Sequence, residues 1–147
     1  MIRPATENDL PSLLFLLKQL FSIEEDFLFD AEKQTRGLEL LLQQENGQIL
    51  VAERDGRVVG MATGQLLVST AEGNLALLIE DVVVAPSHQG YGIGSALLQA
   101  VGDWGRAFGA VRMQLLADLE NSQALQFYSK EKWQQTQLIC LRKYQQH

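Results

Sequence analysis

The chain has 147 residues, 46% of them apolar and 20% charged, with 12 Lys+Arg against 18 Asp+Glu and a single cysteine. That length fits one domain over residues 1–147 that buries a core without disulfide or metal, and six Phe, three Tyr and two Trp argue against disorder. The formal charge of −6 speaks against a surface that grips nucleic acid or anionic lipid, and no apolar run, Leu75 to Ile79 included, approaches the length of a membrane span. One cysteine fits a reducing, cytoplasmic setting.

In chain order, Ile2 to Ala5 is a short apolar entry strand, and Thr6, with Asp9 three residues on, opens a helix. Leu10, Leu13, Leu14, Leu17 and Leu20 recur at helical spacing and give it one buried stripe. Phe21 to Phe29 mixes acids with aromatics and reads as a loop. Asp30 caps a second helix to about Gln44, with Leu38, Leu41 and Leu42 inward. The period then changes to two. Ile49 to Glu53 is a strand, Asp55-Gly56 a hairpin turn, and Val58 to Val68 a second strand whose Gly60 and Gly64 predict bends or close packing. Leu75 to Val84 is a long strand stopped by Pro86. A helix from Gly92 to about Ala107, a strand from Val111 to Ala117, a helix from Glu120 or Asn121 to Glu131 and a last strand from Gln135 to Tyr144 complete the chain. The order β-α-α-β-β-β-α-β-α-β is mixed α/β, an antiparallel meander that feeds a crossover.

Charge is divided along this order. Residues 1–81 carry 6 basic and 14 acidic side chains, a balance of −8, whereas residues 82–147 carry 6 and 4, a balance of +2. The C-terminal part is suited to face an anion and the N-terminal part a cation.

Val82-Val-Val-Ala-Pro-Ser-His-Gln89-Gly90-Tyr91-Gly92-Ile93-Gly94-Ser95 is the most informative segment. A strand ends, a turn follows, and glycines at every second position lead into a helix. Such spacing lets backbone N–H groups converge at the positive end of the helix dipole, a seat for phosphate without any cationic side chain. A P-loop is excluded because no Gly-Lys-Ser/Thr follows. A dinucleotide fingerprint, approached by Gly90-x-Gly92-x-x-Ser95, ranks lower because Ala85 to Gln89 separates the strand from the first glycine and an antiparallel meander precedes it.

Gln89-Gly-Tyr-Gly92-Ile-Gly94 resembles the acetyl-coenzyme A loop of the GCN5-related N-acetyltransferases (GNAT), whose signature is Gln/Arg-x-x-Gly-x-Gly/Ala. The flanks agree: the acid-started strand Glu80-Asp81-Val-Val-Val84, Pro86, and the helix start Ser95-Ala-Leu-Leu98. A second family motif stands at Asn121-Ser-Gln-Ala124-Leu-Gln-Phe127-Tyr128, with 26 residues between Gly94 and Asn121. The element order matches the family fold, a mixed and mostly antiparallel central sheet flanked by helices, almost from end to end.

The resemblance implies an N-acetyltransferase that moves acetyl from acetyl-CoA, without a metal, to a primary amine by direct attack through a tetrahedral intermediate. It also implies that amides of Gln89, Gly90, Tyr91, Gly92, Ile93, Gly94 and Ser95 bind pyrophosphate. The strand through Val82, Val83 and Val84 pairs with the peptide-like pantetheine arm and supplies an oxyanion donor. Tyr128 matches the proton donor to the leaving thiolate, and a phenol of pKa ~10 suits that task. Asn121 is expected to hydrogen-bond pantetheine, besides its simpler reading as a helix cap. Glu80 occupies the position of the family base, directly or through water, with Asp81 as its weaker alternative. Strand alternation places Glu80 on a face with Val82 and Val84.

Glu24, Glu25 and Asp26, beside Phe27, lie where the family shapes its acceptor pocket, and acids there draw in a small cationic amine. A protein N-terminus or lysine as acceptor, and a non-catalytic CoA-binding module, are the alternatives. Cys140 reads as an inert core residue. Lys132-Trp133 replaces the usual Gly-Phe pair and little chain follows Tyr144, so a sheet edge is expected that a second copy completes as a homodimer.

Overall fold

Alternating apolar residues produce one five-stranded sheet in the order β1-β2-β3-β4-β5. Its strands are β1 (Ile2–Pro4), β2 (Gly47–Arg54), β3 (Arg57–Ser69), β4 (Asn74–Val84) and β5 (Ala110–Leu115). The first three neighbouring pairs are antiparallel, and β4 pairs with β5 in parallel. The helices are α1 (Leu10–Ile23), α2 (Ala31–Gln43), α3 (Ile93–Ala107) and α4 (Ser122–Lys130). The structure, a computed structural model, describes residues 1–24 and 26–146. The chain divides into two compact units, Met1–Leu115, which holds the whole sheet, and Leu116–His147, which holds α4. The fold class is the mixed α/β arrangement that the element order predicts.

Local signals account for most boundaries. Asp55 and Gly56 both take positive φ, 52° and 75°, the hairpin turn that Asp-Gly favours. The Asp30 carboxylate accepts the backbone N–H groups of Glu32 and Lys33 and starts α2. α1 runs three residues further than the sequence predicts, through Phe21-Ser22-Ile23. Phe21 is half-buried against the core, so packing extends the helix, and the N–H of Glu24 closes it on the Leu20 carbonyl.

Helices cover both faces of the sheet. Leu13, Leu16 and Leu17 of α1 and Leu38 of α2 form a core with Ile49, Val51, Met61 and Val83. On the opposite face Gly60 lies under Ile93 and Leu97 of α3. A Cβ on Gly64 would stand 2.7 Å from Val101 and 3.0 Å from Leu77, so this glycine is the close packing that the sequence predicts. The burial of 20 apolar side chains among the described residues, at roughly 25 cal/mol per Å2, is the main stabilising term.

The expected strand from Gln135 to Tyr144 does not form. A strand needs a neighbouring edge to hydrogen-bond, and this segment pairs with none among the described residues. Leu138, Ile139 and Leu141 are each at least 80% exposed, and Cys140, expected in the core, is exposed with them. β5 stops at Leu115 rather than Ala117, where its register with β4 ends.

β1 is tied to the start of α1 by one ion pair. The Arg3 guanidinium donates to both oxygens of buried Asp9, at 2.8 and 3.0 Å, and through Nε to Glu53 on β2 at 2.9 Å. Asp9 also accepts the Thr6 N–H at 2.8 Å. These contacts, the Arg3 hydrogen bond foremost, hold the Asp9 carboxyl below its ordinary pKa. Asp9→Asn should therefore cost on the order of 2 kcal/mol in urea unfolding at neutral pH. Because a depressed pKa stabilises the fold only above the unfolded value, the difference should shrink as pH falls below about 4.

Candidate active site

The second half of β4 differs from the first. Met61 pairs with Val83 but Thr63 with Glu80, so Ala62 faces one extra β4 residue, a bulge at Asp81 and Val82. Asp81 takes φ 53°, a left-handed conformation that strains a residue with a Cβ. The bulge breaks the alternation that the sequence predicts for Glu80, Val82 and Val84. Pairing between β4 and β5 ends at Ile79 with Leu115. From Glu80 to Val84 the strand is therefore bonded to β3 on one side and to no strand on the other among the described residues. That open backbone edge, beside half-buried Val82 and Val84, suits a peptide-like ligand. Val83 points back into the core beneath α1.

The chain then turns through Pro86–His88, and the Gln89 side-chain amide donates to the Val84 carbonyl at 3.0 Å, closing the turn. Gly90 and Gly92 have φ of 85° and 81°, and a Cβ on either would meet nothing within 4 Å. Gly92 is the N-cap of the 15-residue α3, with no side-chain cap and no acid in the first turn. Buried Ile93 anchors that turn to the sheet. The first amides of a helix have no intrahelical acceptor and carry its positive dipole end. Open space in front of them, rimmed by exposed Gln89, Gly90, Tyr91 and Gly92, suits an anion such as a phosphate group, with Gly94 and Ser95 in the same first turn.

At the bulge two acids act on a third. Burial first, then the charges of Glu80 and of Glu24 at the end of α1, push the Asp81 carboxyl up to about 7, and a Thr63 hydrogen bond opposes them. The structure thus brings Glu24, Glu80 and Asp81 together, with Glu80 exposed and Asp81 half-buried. Asp26 and Phe27 are exposed in the same loop, and the Phe27 ring packs 5.8 Å from that of Phe21. Glu25 lies outside the described residues. Thr63 is the site residue that the sequence reading missed; its signal was a hydroxyl in the otherwise apolar centre of β3.

In the second unit Asn121 caps α4, its side-chain oxygen accepting the Ala124 N–H at 3.1 Å. Tyr128, half-buried, packs edge-on against Phe127 at 5.3 Å and Trp133 at 6.0 Å. No group of three or more His, Cys, Asp or Glu suited to a metal occurs among the described residues.

An acid whose folded pKa is raised stabilises the protein only while it stays protonated. Wild-type stability should fall as pH rises from about 4 to about 7, and Asp81→Asn should remove that loss. The variant should become the more stable protein by pH 8, by on the order of 1–3 kcal/mol in chemical denaturation.

The Acetyltransferase (GNAT) family matches residues 17–132. An aminoalkylphosphonate N-acetyltransferase of Salmonella typhimurium is 29% identical over 92% of this chain and 85% of its own length. An uncharacterised N-acetyltransferase of Methanocaldococcus jannaschii is 24% identical over 94% of this chain, which spans only 62% of that protein. In fold, an aminoglycoside N-acetyltransferase solved in complex with CoA superposes with a TM-score of 0.83, at 20% identity, over 98% of this chain and 93% of its own. The chain belongs to the Acetyltransferase (GNAT) family, whose members are acyltransferases that use acetyl-CoA.

Proposed function

We propose that residues 1–147 act as one N-acetyltransferase domain that moves acetyl from acetyl-CoA to a primary amine by direct attack. The observation that carries this reading is the uncapped, glycine-opened N-terminus of α3 next to the free edge of β4. Backbone amides from Gln89 to Ser95 hold the pyrophosphate, and the Val82–Val84 edge pairs with pantetheine. The Asn121 amide group adds a hydrogen bond to that arm. Acetyl-CoA, when bound, supplies the activated thioester.

An ammonium has no lone pair, so a carboxylate of the Glu80–Asp81 pair first takes its proton, directly or through water. Glu80 is the base that the family position implies. The amine nitrogen then bonds to the carbonyl carbon, while a backbone N–H of Val82–Val84 steadies the oxyanion of the tetrahedral intermediate. As the C–S bond breaks, Tyr128 donates its phenolic proton to the leaving sulfur, while the attacking nitrogen loses its extra proton to solvent and the phenolate takes one back. The products are an N-acetyl amine and free coenzyme A.

Glu24, Glu80 and Asp81, with Asp26 and Phe27 in the adjoining loop, favour a small cationic acceptor. The acceptors named in relatives, an aminoalkylphosphonate and an aminoglycoside, are amines. A cytoplasmic setting and pairing with a second copy at the open edge of β5 complete the reading.

The test is a panel of amines, small polyamines and peptides included, assayed for free thiol from acetyl-CoA. Turnover of a small cationic amine supports the reading, and preference for a peptide N-terminus or lysine moves it to protein acetylation. Silence across the panel with intact coenzyme binding supports a non-catalytic module. Tyr128→Phe should lower kcat at least tenfold with coenzyme affinity little changed, and an undiminished kcat removes Tyr128 as the acid. Calorimetry should show heat with coenzyme A and none with NAD.

A further inference from the structure

Three polar side chains are buried among the described residues: Asp9, Thr63 and Ser69. Asp9 answers Arg3 and the Thr6 N–H, and Ser69 accepts the Glu72 N–H in the turn after β3. Thr63 is different. It lies at the centre of a strand, 1% exposed, between Ala62 and Gly64. A valine has nearly the same shape and no hydroxyl to desolvate, so burial alone does not account for the threonine.

Its hydroxyl stands 2.9 Å from the Glu80 carbonyl oxygen and 3.4 Å from Oδ2 of Asp81, at the point where β3 and β4 slip by one residue. A hydroxyl has one proton to donate and can accept in return. With Asp81 ionised, that proton turns to the carboxylate. With Asp81 protonated, the carboxyl O–H donates to Thr63 Oγ1, and the hydroxyl keeps its bond to Glu80. In both arrangements the hydroxyl keeps a hydrogen bond to the Asp81 carboxyl group, which neither valine nor alanine can do.

We propose that Thr63 is a positioning residue of the acetyl-transfer site, its hydroxyl tying the Asp81 carboxyl group to the β4 bulge in both protonation states. This rests on the reading above, in which the Glu80–Asp81 pair accepts the amine's proton. The groups that act on Asp81 are Glu80 from its own strand, Glu24 from the end of α1 and Thr63 from β3. Burial and the two glutamates favour the protonated form, and the Thr63 hydroxyl opposes them by favouring the ionised one.

The experiment uses the full chain as wild type, Thr63→Val and Thr63→Ser. The Asp81 side-chain carboxyl is titrated by 13C NMR without substrate, beside the pH profile of kcat/KM and coenzyme A affinity by calorimetry. Thr63→Val should move the Asp81 midpoint upward by on the order of one pH unit. The acid limb of kcat/KM should move with it, at unchanged coenzyme affinity, and Thr63→Ser should restore both. An unmoved midpoint in Thr63→Val overturns the proposal. A moved midpoint with an unmoved acid limb overturns the link to transfer. Should Thr63→Val fail to fold, Thr63→Cys, whose thiol is a weak donor of similar volume, carries the same expected direction. The titration reads Asp81 without any acceptor, so a wild type that acetylates nothing would sink the proposed function and leave the titration result to stand or fall by itself.

Discussion

The slip of one residue between β3 and β4 is the constraint from which the remaining features of the sheet unit follow. Before it, β4 is an interior strand with Leu77 and Ile79 fully buried and both edges bonded. After it, the same strand keeps β3 and loses β5, and its backbone becomes available to something other than the sheet. A left-handed aspartate costs of order 1–3 kcal/mol, and it persists because the ladder on either side and Val83 in the core determine the chain's path across it. Because Val83 fixes where the strand ends, it also fixes where the Pro86 turn begins and where the first amides of α3 stand.

Electrostatics then separates two kinds of ligand within the sheet unit. The phosphate seat proposed at the start of α3 would use dipoles only, with no acid in the first turn to repel an anion. The acids lie at the other side of the strand end, one from the end of α1 and two from the bulge. A count of side-chain charge alone would have missed the anion seat, since backbone N–H groups carry no formal charge.

Much of this was legible in the sequence because it is local. Asp55-Gly56 turns, Asp30 and Asn121 cap, and Gly90 and Gly92 adopt the positive φ that their spacing suggests. The bulge was not legible, because Glu80-Asp81-Val82 reads as ordinary strand and a slip of register depends on the partner strand. Thr63 was hidden for a related reason: threonine is at home in any strand, and only the partner shows what its hydroxyl meets. The reach of α1 beyond Leu20 depended on the burial of Phe21, and the missing last strand on an edge that lies far away in sequence. The roles given to Tyr128 and Asn121 come from motif likeness, with the geometry of α4 describing only their own neighbours.

The stretch from Gln135 to Tyr144 bears on how the protein behaves in bulk. Leu138-Ile-Cys-Leu141 is four apolar residues in succession, without proline or charge, displayed to solvent. Such runs are templates for intermolecular cross-β association. Arg142 and Lys143 follow immediately and act as gatekeepers, keeping like charges side by side wherever two such runs align. Salt screens that repulsion, and oxidation of the exposed Cys140 thiol would join two runs covalently. Ionic strength and reductant therefore act on these few exposed residues directly, without any opening of the buried layers.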